Sequence, residues 1–206
     1  MEFLRNLDIS LFYFVNHALS NRVFDFAMPV ITTMGNWLAP AAAIILCVLI
    51  WGGRRGRIAL GLCLLALTLG DLVTYRLLKP LFLRHRPFEV LEGVRQLVNA
   101  SGYSFPSNHA VNGFAAVTVI WYYFRRTGWA FLALAAVIAF SRVYTGVHYP
   151  FDVIAGAVFG SATGVLVIFL YNQTLKYAQK RRKQMERLQE IVYSKKTLFV
   201  LILFVA

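Results

Sequence analysis

The chain has 206 residues, of which 59% are hydrophobic and only 15% are charged, with a formal net charge of +12. Soluble domains average about 45–50% apolar and about 25% charged residues, so the composition excludes an ordinary soluble protein and predicts one membrane-embedded domain over residues 1–206. The positive charge does not indicate nucleic acid, because residues 176–196 carry half of it, as eight Lys or Arg against two Glu, which is typical of an extension that binds anionic lipid.

The N-terminal 35 residues predict two short elements. Ile9, Phe12, Val15 and Leu19 recur at helical spacing, which indicates an amphipathic helix lying in the membrane interface. The apolar run 23–35 is short for a span, and we count it as the first of six membrane helices.

Five more apolar runs complete an all-α bundle of six transmembrane helices. They are residues 37–51, 58–78, 110–124, 129–140 and 153–171. The run 58–78 is long enough to cross a hydrocarbon core of about 30 Å. It contains Asp71, which either bonds to a neighbouring helix or takes part in function.

The basic residues predict the orientation of this bundle. With six crossings, the N-terminus and the loops after helices two, four and six share one side, and all of them are basic. Lys and Arg are enriched in cytoplasmic loops, so we expect both termini, and the extension from about residue 176, to be cytoplasmic. The connections 79–108 and 141–152 then meet on the extracytoplasmic face. They carry positive charges that this side normally avoids, and a bound anion would explain them: Lys79, Arg84, Arg86, Arg95 and Arg142.

The same two connections contain residues suited to phosphoryl chemistry. Three cations match phosphate oxygens, two histidines could attack phosphorus and protonate the departing oxygen, and a carboxylate follows one histidine by four residues. These residues are Lys79, Arg86, Arg142, His109, His148 and Asp152. Two helix N-termini, at residues 107–109 and at Pro150, would point backbone N–H groups at the same place. No metal-ligand spacing is present, so we expect a metal-free displacement without a cofactor.

The spacing of these residues also resembles a known family. The motifs are Lys79 with Arg86-Pro87 after six residues, then Pro106-Ser107-Asn108-His109, then Ser141-Arg142 with His148 after five residues and Asp152 after three more. In this order they resemble the signature of the type 2 phosphatidic acid phosphatase superfamily, and within it the bacterial phosphatidylglycerophosphate phosphatase B group.

The resemblance implies a role for each motif residue. His148 would be the nucleophile that forms a phosphohistidine, Asp152 would orient it, and His109 would protonate the leaving group. The phosphate would be held by Lys79, Arg86, Ser107 and Arg142.

The middle motif departs from the family at Asn108, where the family usually has Gly. A glycine would let the backbone N–H approach the phosphate without a side chain. Asn tolerates positive φ better than other non-glycine residues. The phosphate cradle could therefore persist, and the Asn108 side chain could also narrow the site or touch the substrate. We count Asn108 among the substrate-binding residues and leave its role open.

Two functions fit these residues. The first is an integral-membrane lipid phosphatase acting at the outer face; the resemblance implies phosphatidylglycerophosphate, phosphatidic acid or a polyprenyl pyrophosphate such as undecaprenyl pyrophosphate, and the residues do not choose among them. The second is a non-catalytic lipid-phosphate binder or flippase, which needs the cations but not two histidines and an aligned carboxylate. Either function has a membrane and a lipid phosphate as partners, and the oligomeric state stays open.

Overall fold

The described part of the chain is all-helical, as the apolar runs predict. The computed structural model describes residues 2–205, with the side chains of residues 2–191. Its α-helices are α1 (Glu2–Tyr13), α2 (Arg22–Thr32), α3 (Leu38–Trp51), α4 (Gly53–Val73), α5 (Lys79–Phe82), α6 (Pro87–Val90), α7 (Asn108–Tyr123), α8 (Arg125–Tyr144) and α9 (Pro150–Val205). Two π-helical turns, Phe14–Ala18 and Thr74–Leu78, and a 3₁₀ turn, Met34–Trp37, complete the helical elements, and no strand occurs among residues 2–205.

Four helical stretches of the described chain are long and apolar enough to cross a membrane. They are Met34–Trp51, Gly53–Val90, Arg125–Tyr144 and Pro150–Ile191. The protein is therefore a multi-pass membrane protein. The predicted count of six spans is not confirmed, because α7 has 16 residues and α2 only 11, both below the usual length of about 17 or more.

The two ends of the helix bundle differ in chemistry. Near one end, the Arg55 guanidinium donates to the Tyr123 carbonyl and lies 5.3 Å from the centre of the Phe124 ring. At the other end of the same helices, Asn108 of α7 donates to Asp71 of α4 at 2.7 Å. α4 and α7 are therefore antiparallel. We call the first end, with the arginines at 54–57 and 125–126, the basic end, and the second the polar end.

The two N-terminal helices lie at the polar end, because each bonds to the connections 79–108 and 141–152, which lie at that end. The pairs are Asp8 with Arg84, Asn16 with Tyr144, Asp25 with Arg95, and Thr32 with Arg142. The expectation that the N-terminus shares an end with the basic loops is therefore wrong. The physical reason is that α2 does not cross the bundle, because Asp25 near its start bonds to Tyr144 and Thr32 at its end bonds to Arg142, both in the C-terminal turn of α8.

The interfacial position predicted for the first helix is not confirmed either. Phe12 on this helix is fully buried, and it packs with Val143 and Tyr149 in a small protein core. Asp8 and Asn16 are buried on the same helical stretch. One face of α1 is thus covered by protein, and polar side chains belong to that face.

Close packing of α9 on α7 brings the starts of these two helices together. Glycines four residues apart share one face of a helix, and here they are Gly156, Gly160 and Gly164. A Cβ added at Gly160 would lie 2.1 Å from the Val111 carbonyl oxygen. Small residues of this kind let membrane helices approach closely. As a result the Ser107 N–H, just before α7, donates to the Asp152 carbonyl at 3.0 Å.

We expect Gly160→Ala to destabilise the protein by about 1–3 kcal/mol, the usual cost of overpacking, because the new methyl group meets the backbone of α7. The matched control is Gly61→Ala on α4, where an added Cβ would meet nothing within 4 Å and both variants share the gain in helix propensity. Thermal unfolding in detergent measures the difference. A Gly160→Ala protein as stable as the Gly61→Ala protein would show that this contact does not constrain the fold.

The chain divides into two compact units, Met1–Val167 and Ile168–Ala206. The first contains every residue predicted for the site. In the second, α9 carries exposed basic side chains with i,i+4 partners, such as Arg182 with Glu186 at 2.8 Å. The cytoplasmic location of this basic extension and the single-domain organisation stay predictions. The apolar run 197–206 lies beyond the residues whose side chains are described.

Candidate active site

The polar segment between α8 and α9 is the most deeply buried stretch of the described chain. All nine residues from Ser141 to Tyr149 are buried. The turn within it requires glycine at Gly146, where φ is +81° and an added Cβ would lie 2.6 Å from the Arg95 carbonyl oxygen. Burial of so polar a stretch needs many internal partners, and these partners form the site.

His148 lies in this segment between a carboxylate and a guanidinium. Its Nδ1 is 3.5 Å from Asp152 Oδ2 and 3.4 Å from Ser104 Oγ. Ser104 O–H donates to the same Asp152 oxygen, which also accepts the Tyr149 N–H at 3.0 Å. With the proton on Nδ1, as this surrounding favours, the Nε2 lone pair points away from the carboxylate. That geometry suits a nucleophile.

Burial also keeps His148 uncharged. It lowers the pKa of His148 to about 3, and the charges of Arg86 and Arg142 act in the same direction, while Asp152 opposes them. A neutral imidazole has a free lone pair, as nucleophilic attack requires. The residue is therefore in its reactive form at neutral pH.

The guanidinium of Arg86 is fixed beside the Nε2 atom of His148, at 3.3 Å. Three backbone carbonyls hold it there, because Nε donates to Gly102 at 2.7 Å, Nη1 to Val147 at 2.8 Å and Nη2 to Ser101 at 2.9 Å. Its orientation is thus set before any anion binds.

The other two predicted cations are buried in the same region. Lys79 donates to the Tyr103 carbonyl, and Arg142 Nη1 donates to Thr32 Oγ1 at 2.6 Å. Lys79 interacts electrostatically with both Arg86 and Arg142. Three cations that interact in this way repel one another, so an anion bound among them would relieve the repulsion.

Several predicted site residues carry buried polar atoms that bond to no other group. Among residues 2–191 there are six such side-chain atoms, and four belong to the predicted set: Ser107 Oγ, Asn108 Oδ1, His109 Nε2 and Arg142 Nε. Buried polar atoms usually have partners. Their concentration here indicates a binding site for a polar ligand. His109 also interacts electrostatically with Arg86 and Arg142, as His148 does.

The structure gives Asn108 a role that the sequence did not predict. Asn108 is the first residue of α7, and positive φ outside glycine occurs in the described residues only at Leu83, so Asn108 does not use the left-handed conformation that Asn tolerates. Its amide donates to Asp71 on α4 at 2.7 Å, and Asn112 donates to the same oxygen at 2.9 Å. Asp71 therefore bonds to a neighbouring helix, and Asn108 ties the start of α7 to α4.

A cavity of about 370 Å³ opens beside two of the predicted residues, His109 and Arg142. The rest of its lining comes from the end of α2 and from the connection before α7: Thr32, Thr33, Met34, Val98 and Asn99. The lining of the cavity thus combines apolar surface with a cation and an imidazole, supplied by Arg142 and His109.

Three residues that contact the site were not predicted for it. Ser104 bridges His148 and Asp152, Arg84 binds the second oxygen of Asp152 at 2.6 Å, and Asp8 binds Arg84 at 2.6 Å. Only Arg84 left a signal in the sequence, as a positive charge in an outer connection. Ser104 and Asp8 are common residue types with no distinctive spacing.

We expect His148 to remain unprotonated from pH 8 down to about pH 5. Burial holds its folded-state pKa near 3, so protonation begins only as the pH falls toward that value. Histidine-selective isotope labelling with NMR measures the imidazole directly, and His148→Gln identifies its signal. A His148 signal that titrates with a midpoint near 6.5 would contradict the buried geometry.

The chain also resembles known proteins in sequence and in fold. Residues 58–177 match the model of the PAP2 superfamily. The chain is 31% identical to a lipid A 4'-phosphatase of Bacteroides thetaiotaomicron, over 82% of this chain and 79% of the relative. It is also 31% identical to the putative undecaprenyl-diphosphatase YbjG of Escherichia coli, over 76% and 79%. The solved structure of Aquifex aeolicus LpxE has a similar fold, with a TM-score of 0.67 at 24% identity, covering 79% of this chain and 94% of that one.

Proposed function

The chain belongs to the PAP2 superfamily, and we propose that it is a metal-independent phosphatase that removes phosphate from membrane lipids through a phosphohistidine on His148. The observation that carries this proposal is the position of His148. Its Nδ1 faces Asp152 and Ser104, and its Nε2 faces the fixed guanidinium of Arg86.

The proposed reaction has two displacements. In the first, His148 Nε2 attacks phosphorus, the bond from phosphorus to the lipid oxygen breaks, and His109 donates a proton to that oxygen. A phosphate dianion next to His109 favours its protonated form. In the second, His109 accepts a proton from water as the water attacks phosphorus, and the P–N bond to His148 breaks to release inorganic phosphate.

The phosphate oxygens would be held by Lys79, Arg86, Ser107 and Arg142, whose cations and hydroxyl stabilise the charge that develops on them. Asn108 contributes to this cradle through its bond to Asp71, which positions the first turn of α7, rather than through a left-handed backbone. The cavity beside His109 would hold the lipid side of the substrate, which departs as the leaving group.

The proposed substrates are lipid phosphates with a terminal phosphoryl group, namely phosphatidylglycerophosphate, undecaprenyl pyrophosphate and related lipids such as phosphatidic acid. The likeness to the putative undecaprenyl-diphosphatase YbjG and to a lipid A 4'-phosphatase supports this class. All of these molecules share the group that the cations would bind.

The proposed orientation has the basic end in the cytoplasm and the polar end outside. The arginines at 54–57 and 125–126 support it through the enrichment of basic residues on the cytoplasmic side. The N-terminal helices, which lie at the polar end, would then be extracytoplasmic.

Release of inorganic phosphate tests the proposed activity. The purified protein in detergent is given each lipid of the panel, with and without a chelator. We expect turnover of at least one lipid that the chelator does not reduce. Loss of all turnover with the chelator would contradict the metal-independent mechanism, and no turnover of any lipid would favour the rival function, a non-catalytic lipid-phosphate binder or flippase.

A further inference from the structure

Arg84 divides its guanidinium between two buried carboxylates. Nη1 lies 2.6 Å from Asp152 Oδ1, and Nη2 lies 2.6 Å from Asp8 Oδ2. The two carboxylates are 0% and 1% exposed, whereas Arg84 is about one-quarter exposed. A planar fork with one nitrogen on each acid has a single orientation, so Asp8 determines how Arg84 meets Asp152.

Asp8 also binds the helix that carries Asp152. Its Oδ1 accepts the Phe151 N–H at 2.9 Å, and this N–H lies in the first turn of α9, where amides have no partner within the helix. A carboxylate there also interacts favourably with the helix dipole. Asp8 thus fixes Asp152 twice, through Arg84 and through the backbone next to it.

The charged form of a buried carboxylate such as Asp8 is stabilised only by its bonding partners. Burial raises the pKa of Asp8 above its ordinary value, and the hydrogen bonds from Arg84 and from the Phe151 N–H act in the opposite direction. The Tyr149 ring packs against Arg84, with the guanidinium carbon 3.9 Å from the ring centre. Arg84 therefore has little freedom to rotate away from either acid.

The position of Asp8 in the chain is informative as well. It lies on α1, outside the residues 58–177 that match the family model. The N-terminal helix consequently adds a contact that the three motifs do not contain.

We propose that Asp8 is a positioning residue of the phosphatase site, which acts through Arg84 to hold Asp152 in register with His148. This inference rests on the proposed phosphatase activity. With this role for Asp8, α1 helps to position the catalytic residues and does not serve only to attach the chain to the membrane.

Steady-state kinetics of Asp8→Asn tests the proposal. Asn keeps the size of the side chain but loses the charge that orients Arg84. We expect kcat to fall by about 10-fold with KM changed less than about 2-fold, because the variant disturbs the alignment of His148 and leaves the phosphate-binding residues in place. Arg84→Lys keeps a cation but cannot bind both acids, so it should lower kcat to a similar extent.

The matched control is Asp25→Asn. Asp25 also lies on an N-terminal helix and pairs with an arginine of the outer connection, Arg95, at 2.7 Å, but it does not contact Asp152 or His148. We expect its kcat within about 2-fold of the parent, even if its melting temperature falls as far as that of Asp8→Asn.

The double variant separates positioning from general stability. If Asp8 acts through Arg84, adding Asp8→Asn to Arg84→Gln should lower kcat by less than about 2-fold further. An unchanged kcat in Asp8→Asn, an equal loss in Asp25→Asn, or full additivity with Arg84→Gln would overturn the inference. If the parent protein itself releases no phosphate, the proposed function fails instead, so the two failures are distinguishable.

Discussion

Replacing His148 with Gln is expected to reduce lipid phosphate hydrolysis by at least about 10⁴-fold, because the proposed reaction then has no nucleophile. Gln fills a similar volume and can still bond to Ser104 or Asp152. The fold and the phosphate-binding cations should therefore remain. Phosphate release under single-turnover conditions measures the loss.

Binding of the lipid is the control for this variant. Arg86 is held by three backbone carbonyls, so its position does not depend on His148. We expect His148→Gln to bind the lipid phosphate with nearly the affinity of the parent protein. Turnover within about 10-fold of the parent would assign the nucleophile to another group.

Replacing His109 with Gln is expected to reduce hydrolysis of a lipid phosphate monoester, such as phosphatidic acid, by about 10²–10⁴-fold, the usual contribution of a general acid. An alkoxide is a poor leaving group, so its departure depends on the proton that His109 supplies. An aryl phosphate with an acidic phenol needs little protonation. With p-nitrophenyl phosphate the first step should therefore fall by less than about 10-fold.

The test compares the loss of rate that His109→Gln causes on the lipid with the loss that it causes on p-nitrophenyl phosphate. His109→Gln and the parent protein are compared on both, by the burst of nitrophenol and by phosphate release from lipid. Asp152→Asn serves as the reference, since it impairs the nucleophile and should slow both substrates alike. Equal losses on both substrates in His109→Gln would mean that His109 does not protonate the leaving group.

The site could be predicted from the sequence because its residues break the pattern of a membrane protein. His148 and Asp152 lie between two apolar runs, and Arg86 and Arg142 add charge to connections that the sequence predicts on the side of the membrane where positive charge is rare. Such exceptions are costly in a lipid environment and therefore mark function. The same reasoning selects candidate residues but gives no distances between them.

The N-terminal region could not be predicted in the same way. Asp8, Asn16 and Asp25 have no distinctive spacing in the sequence, yet each bonds to a residue about 70 or more positions later in the chain. Periodicity reports only which residues share a face of one helix. It does not report that the face is covered by protein, so the sequence predicts a crossing for residues 23–35 that the structure does not have.

Asn108 is a second residue whose bonding partner the sequence does not reveal. Its difference from the family's glycine leaves open a backbone role, through φ, and a side-chain contact with the substrate. The structure shows a side-chain explanation, in which Asn108 and Asn112 share the carboxylate of Asp71. The three residues lie on two helices, and their proximity depends on the register of α4 against α7.

The most direct test of the central claim is to trap the phosphoenzyme. The protein is mixed with a lipid labelled in its terminal phosphate, quenched in base within the first turnover, and digested. Phosphohistidine survives base and is lost in acid, and we predict label of this kind on the peptide that contains His148, in the presence of a chelator and absent from His148→Gln. Label on another residue, label that survives acid, or turnover with no labelled peptide would contradict the account.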